Sequence, residues 1–270
     1  DTLVPRRALA TGGSGSTRAV LAGIAWTLVN QSALNVKIIN LSLGGGSYTG
    51  VCDEDDALTQ LYAEVVAQAR QAGITLFAAA GNSGDAGNLL APACISGVVA
   101  VGNVYHTSLT QAIWPSCIDN AAEPGQVACS SNSIPKLALL APGTGITAEA
   151  LGGGQRVESG TSMSTPHAAA VAAMLLEASP GLTPETIELT LIQTGVPVTD
   201  PRNGHTAPYI DALAAVSAVN ASLPLTGTVL LEGRQDHSGT AIYVTTSDCE
   251  TAIFSEPATF TDATGTFSLT

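Results

Sequence analysis

The stretch Gly160-Thr161-Ser162-Met163-Ser164-Thr165-Pro166-His167 carries residue types that could do covalent chemistry. An apolar run, Ala168 to Leu176, follows it. The pattern predicts a turn that feeds directly into a buried helix, with Ser162 where the helix begins. A hydroxyl there sits beside unpaired backbone N–H groups and the positive end of the helix dipole. Such a place favours attack on a carbonyl, because the negative oxygen that forms meets those donors. Pro166 agrees with a helix start, since a proline is tolerated in a first turn and breaks a later one. Read by itself, the stretch is equally a small-residue cap on a core helix, because Ser and Thr are ordinary helix starters.

A serine nucleophile needs a histidine to take its proton and an acid to orient that histidine. The histidines are His106, His167, His205 and His237. His167 comes five residues after Ser162, on a different side of the predicted helix. His106 follows a strand in a polar loop, His205 lies in a late loop, and His237 belongs to a different part of the chain.

Cys52, Cys94, Cys117, Cys129 and Cys249 show no C-x-x-C spacing and no histidine at ligand spacing, so zinc is not expected. Secreted proteins keep such cysteines as disulfides. The preferred pairs are Cys52–Cys94 and Cys117–Cys129, the second closing a short polar insertion over Ser116 to Ser130. Cys249 is left for a partner beyond this chain. The acidic run Asp53-Glu54-Asp55-Asp56 is weighed for calcium. It lacks the ligand alternation and glycine of an EF-hand loop, and acidic residues at a helix N-terminus are expected from the dipole. No cofactor and no metal is therefore expected. Gly12-Gly13-Ser14-Gly15-Ser16-Thr17 lacks the lysine of a phosphate loop and reads as a loop with a helix cap.

The elements that must position Ser162 alternate along the chain. Helices are predicted over Thr17–Val29, Ala57–Gln71, Pro184–Thr194 and Tyr209–Val219. Apolar runs over Val36–Leu43, Ile74–Ala80, Gly97–Val104 and Leu137–Leu140 predict buried strands. The alternation implies an α/β domain, a parallel sheet with helices on both faces. Gly44-Gly45-Gly46 would let a substrate backbone approach without a Cβ in the way. After Leu223 the texture changes to short strand-like runs, Leu225–Glu232, Thr240–Thr246 and Gly265–Leu269. The organisation expected is a catalytic domain over 1–220, a linker over 221–224 and a small partial β-sandwich over 225–270.

The composition bounds the partners. A net charge of −13 argues against nucleic acid and against an anionic membrane surface. No apolar run is long enough to span a bilayer. The chain shows no signal peptide and does not begin with Met, so it reads as starting within a longer protein.

Three blocks shift the balance at Ser162. Gly160 to His167 resembles the nucleophile motif of the subtilisin-like serine proteases, the subtilases. Asn40-Leu41-Ser42-Leu43-Gly44-Gly45 resembles that family's substrate-binding strand, and Ala78-Ala79-Ala80-Gly81-Asn82 its oxyanion-hole block. The blocks stand in the family's order, and the resemblance spans roughly residues 1 to 219. The resemblance implies Ser162 as nucleophile and Asn82 as side-chain donor to the oxyanion, with the Ser162 backbone N–H as second donor. It implies that Ser42, Leu43 and Gly44 hold an extended substrate strand. Ala79, Ala80 and Gly81 would line a specificity pocket suited to an apolar side chain. It makes His167 structural.

The family carries its catalytic Asp and His upstream of a stretch like Leu9 to Trp26. No Asp-Ser/Thr-Gly and no His-Gly-Thr occurs here, so both are expected upstream of this chain. The reading is then a serine endopeptidase fragment, secreted and monomeric, acting on polypeptides and inactive by itself. The alternative is a non-catalytic peptide-binding or surface-binding module. An α/β-hydrolase esterase ranks last, because Ser164 stands where Gly-x-Ser-x-Gly needs a glycine. The run Gly227-Thr228-Val229 to Leu269 resembles the start of a carboxypeptidase-regulatory-like β-domain.

Overall fold

The computed structural model describes residues 2–10, 12–150, 152–220, 225–231, 235–242 and 259–269. They divide into two compact units, Asp1–Val216 and Ser217–Thr270. The first half of the chain forms α1 (Thr17–Leu34), β1 (Ile38–Leu41), β2 (Gly45–Tyr48), α2 (Ala57–Gln71), β3 (Thr75–Ala79), β4 (Leu89–Ala91), β5 (Val98–Val104), β6 (Leu109–Ile113) and β7 (Ile118–Ala122). The second half forms β8 (Leu139–Pro142), β9 (Ile146–Glu149), β10 (Gln155–Glu158), α3 (Thr161–Ala178), α4 (Pro184–Thr194), β11 (Val196–Thr199), β12 (Thr206–Tyr209) and α5 (Ala212–Asn220). The remaining strands are β13 (Leu225–Thr228), β14 (Ala241–Ile242), β15 (Thr259–Phe260) and β16 (Thr266–Leu269).

The apolar runs become one six-stranded sheet in the order β1-β3-β5-β8-β12-β11. All its pairings are parallel except β11 with β12. Every residue of β3 and β5 is buried, as central parallel strands covered on both faces must be. α3 packs across β1, β3, β5 and β8, while α2 packs on β3 and α1 on α2. The register Leu41↔Ala78, Ala79↔Val101 and Val104↔Pro142 brings the carboxyl ends of four strands side by side. Ligands of open parallel sheets bind at that edge.

The caps follow the sequence. Ser16 accepts from Ala19 N–H at the start of α1. The helix continues past the expected Val29 to Leu34, where Asn35 turns left-handed (φ 49°) and donates to the Gln31 carbonyl. Asp56 caps α2 in a capping box with Thr59, and Asp53 accepts from the Ser96 N–H and hydroxyl. Both bonds of Asp53 and the cap of Asp56 are protein contacts.

Both expected disulfides form, with Cα–Cα separations of 5.4 Å for Cys52–Cys94 and 6.1 Å for Cys117–Cys129. The expected polar insertion over Ser116 to Ser130 contains only the second strand of a hairpin, β7, which pairs with β6 before it at Ile113↔Ile118. The expected last helix over Tyr209–Val219 is corrected: Tyr209 ends β12, and α5 begins at Ala212. Pro197 and Pro208 face each other across β11 and β12, and prolines in both strands hide such a pair from a reading by pattern.

In the second unit, β13 pairs with β16 and β14 with β15, both antiparallel. Gly265 (φ +81°) is required between them, because a Cβ there would meet the Val229 carbonyl. The greater part of the expected strand over Thr240–Thr246, and Cys249, lie outside the described residues. Among the described residues no helix is long and apolar enough to cross a membrane.

Candidate active site

Ser162 stands in the first turn of α3, half-buried, at the sheet edge just described. The helix starts abruptly because Gly160 takes φ 143°, which side chains rarely adopt. Gly160 N–H donates to the Gly143 carbonyl at 2.7 Å, seating the turn on the end of β8. Gly143 has to be glycine, since a Cβ would come 2.5 Å from Asn103 Oδ1 and 2.7 Å from the Gly160 carbonyl.

Pro166 is the sixth residue of α3 and so lies beyond its first turn, which corrects the expectation. Having no N–H, it leaves the Ser162 carbonyl without its helical donor. The Ser42 hydroxyl fills that place, donating to the Ser162 carbonyl at 2.7 Å. The carbonyl left open by a helix-breaking residue thus becomes a bond between the segment after β1 and the serine.

Asn82 meets the same turn from β3. Its Oδ1 accepts from Thr161 N–H at 2.8 Å and from the Thr161 hydroxyl at 3.0 Å. A backbone N–H can only donate, so it fixes which end of the amide faces Thr161. The Nδ2 group is turned the other way, on an exposed side chain. Met163 and Ser164 N–H both go to the Gly160 carbonyl. Among the described residues, neither Asn82 Nδ2 nor Ser162 N–H has a hydrogen-bond acceptor.

Ala79, Ala80 and Gly81 are buried, and Gly81 N–H donates to the Thr161 hydroxyl at 3.2 Å. Ser42, Leu43 and Gly44 lie between β1 and β2 and belong to neither. Between these two segments lies Leu90, whose N–H donates to the Ala80 carbonyl. A Cβ on Gly44 would come 2.9 Å from Leu90 Cβ, and one on Gly81 2.8 Å from Leu90 Cγ. Nothing in the sequence marks Leu90 as a site residue, because only the pairing of β2 with β4 carries it there. Thr161 is legible in principle, being inside the motif. Asn132, which accepts from Ser83 N–H, the Ser83 hydroxyl and Asp85 N–H, has no such signal.

The histidines do not join Ser162. His167 Nδ1–H donates to the Met163 carbonyl, His205 Nε2–H to the Leu137 carbonyl, and His237 Nδ1 accepts from Leu231 N–H. A cavity of about 540 Å³ lies near His205, Asn203, Lys136 and Thr49, and none of the predicted site residues lines it. Lys136 donates to the Val98 carbonyl there, and burial holds its ammonium below the usual lysine range.

Residues 2–220 match the subtilase family. The chain is 34% identical over 192 residues to alkaline serine exoprotease A of Vibrio alginolyticus, covering 70% of this chain and 30% of that protein. It is 32% identical over 213 residues to an extracellular serine proteinase of Thermus sp., covering 77% of this chain and 44% of the relative. The chain thus spans less than half the length of either relative. Among solved structures, a cold adapted subtilisin-like serine proteinase superposes with a TM-score of 0.61 at 30% identity, over 76% of this chain and 65% of that one.

Proposed function

Because the chain belongs to the subtilase family, we propose that it carries the nucleophile and the oxyanion hole of a secreted serine endopeptidase. The observation that supports this reading is the bond from Thr161 N–H to Asn82 Oδ1, which ties Asn82 to the residue before Ser162 and leaves its amide N–H groups for another acceptor. Ser162 Oγ attacks the scissile carbonyl. The negative oxygen that results meets Asn82 Nδ2 and the Ser162 N–H, donors already in place before reaction. The proton of Ser162 goes to a histidine oriented by an aspartate, both contributed by sequence upstream of this chain.

Ser42, Leu43 and Gly44 offer backbone groups to an extended polypeptide, and Ala79, Ala80 and Gly81 form the wall of its side-chain pocket. Leu90 sharpens the expected apolar preference. It lies against both Gly44 and Gly81 and so adds an apolar side chain to the same wall. Secretion is supported by the two disulfides and by the Thermus relative, named as extracellular. The enzyme works as a monomer without a cofactor. The second unit is read as the start of an accessory β-domain, supported by its two antiparallel ladders.

The test is labelling with a fluorophosphonate probe, on this chain and on one extended upstream through the Asp and His. Labelling of the long form only, lost in Ser162→Ala, is the expected result. A folded long form that takes no label would overturn the reading in favour of a peptide-binding module.

A further inference from the structure

We infer that the turn joining β11 to β12 positions the Asn82 loop for catalysis, with Arg202 and Asn203 as its positioning residues. This rests on the reading of Asn82 as an oxyanion donor.

The turn reaches two segments far from it in sequence. Arg202 Nη1 donates to the carbonyls of Gly84 (3.4 Å) and Cys129 (2.5 Å), and Nη2 to that of Ser131 (2.7 Å). Asn203 Nδ2 donates to the carbonyls of Ala86 (3.1 Å) and Ser133 (2.8 Å). Gly84 and Ala86 follow Asn82 directly. Cys129, Ser131 and Ser133 flank Asn132, whose Oδ1 holds Ser83 N–H at 3.0 Å and Asp85 N–H at 3.3 Å.

These two segments are also laced to each other. Gly84 N–H donates to the Ser130 carbonyl, Ser133 N–H to Asp85 and Asn132 N–H to Gly81. The clamp is itself held. Asp200, 2% exposed in its side chain, accepts from Arg202 Nε at 2.9 Å and Nη2 at 2.6 Å. Asp200 N–H and carbonyl close the turn with His205 and Gly204.

An oxyanion donor works by being in place before charge develops, so the backbone that carries it must not move. Thr161 fixes Asn82 on one side only, and the loop after Asn82 has no regular secondary structure to hold it. A guanidinium suits this task, because its planar fork of donors spans several carbonyls at once. A lysine ammonium is a single point on a flexible stem and holds fewer of them.

The experiment is a double-mutant cycle on the upstream-extended chain, reading the rate of fluorophosphonate labelling, with thermal unfolding as the check of folding. Arg202→Ala is expected to slow labelling about tenfold or more, since a small misplacement of a catalytic group is enough for that. In the Asn82→Ala background the same change should have almost no effect, and Arg202→Lys should fall between Ala and wild type. If Arg202→Ala does not fold, Asn203→Ser takes its place in the cycle. Equal slowing with and without Asn82, or no slowing in a folded variant, overturns the positioning role while leaving Ser162 a working nucleophile. A folded wild-type long form that takes no label overturns the protease reading, and the positioning role with it.

Discussion

The junction of Asn82 with the α3 start and the hairpin of β6 and β7 are held by opposite means. At the junction, backbone groups bond to short polar side chains, and Gly143 and Gly160 let the chains close in. The hairpin has its own small core of Tyr105, Ala112, Ala122 and Ala128, with Trp114 and Leu109 against it. Trp114 Nε1–H donates to the Tyr105 hydroxyl at 2.8 Å, which donates to Asp119 at 2.6 Å. Burial raises the Tyr105 hydroxyl pKa, and the bond to Asp119 adds to the rise. The Cys117–Cys129 bond ties the turn between the two strands to the segment that follows the hairpin. The lesson is that the site needs positions with almost no freedom of residue type, whereas the hairpin needs a cluster that happens to fit.

The difference breaks or sharpens under mutation. In the extended chain, Asn82→Ala should lower turnover on the order of 10²–10³-fold, the loss seen when such a donor is removed from a subtilisin. It should also cost about 1–3 kcal/mol, because the buried Thr161 N–H and hydroxyl lose their acceptor, and a loss of stability with normal turnover would reverse the assignment. Removing the tie between the hairpin turn and the following segment, by Cys117→Ser with Cys129→Ser, should act mainly on stability. Stability should fall by about 2–3 kcal/mol, as for a short disulfide loop, read from urea melts. Labelling of Ser162 should fall only modestly, through the bond from Arg202 to the Cys129 carbonyl. Gly143→Ala should affect both measures, costing about 1–3 kcal/mol by overpacking and shifting the α3 start. Unchanged stability there would mean that the junction is looser than its contacts.

A smaller effect concerns the clamp that connects the two regions. Burial tends to raise the Asp200 pKa, but the hydrogen bonds and charge of Arg202 outweigh it and hold the carboxyl below its usual range. In the unfolded chain the group titrates near its ordinary value, about 3.9. Its contribution is therefore present above that value and lost as pH falls through the folded pKa. The urea midpoint should drop as pH falls from about 5 to about 3, and drop less steeply in Asp200→Asn.

Much of the fold is legible in the residues themselves. Alternation of apolar runs and helical patterns predicts the parallel sheet, and the sheet is there. Caps at Ser16, Asp56 and Thr183 are local chemistry, readable within four residues. Both disulfides are legible as preferred pairs. Pattern misplaces Tyr209 in a helix because the β11–β12 pair contains prolines and depends on a neighbour, β8, far away in sequence. It misplaces Pro166 in a first turn for the same reason, since the meaning of that proline depends on Ser42.

By itself the sequence determined the family and the sheet and singled out Ser162 as the candidate nucleophile, because each rests on local patterns or on words within one segment. Only the tertiary structure decided that Ser42 serves the Ser162 carbonyl and that Leu90 closes the space between Gly44 and Gly81. The same holds for Arg202, which ties together two loops that flank Asn82 and Asn132. Apart from that of Leu90 with Gly81, these are contacts across 46 to 120 residues of chain. Residue type says what a side chain can donate or fill, and only the fold says which partner it meets.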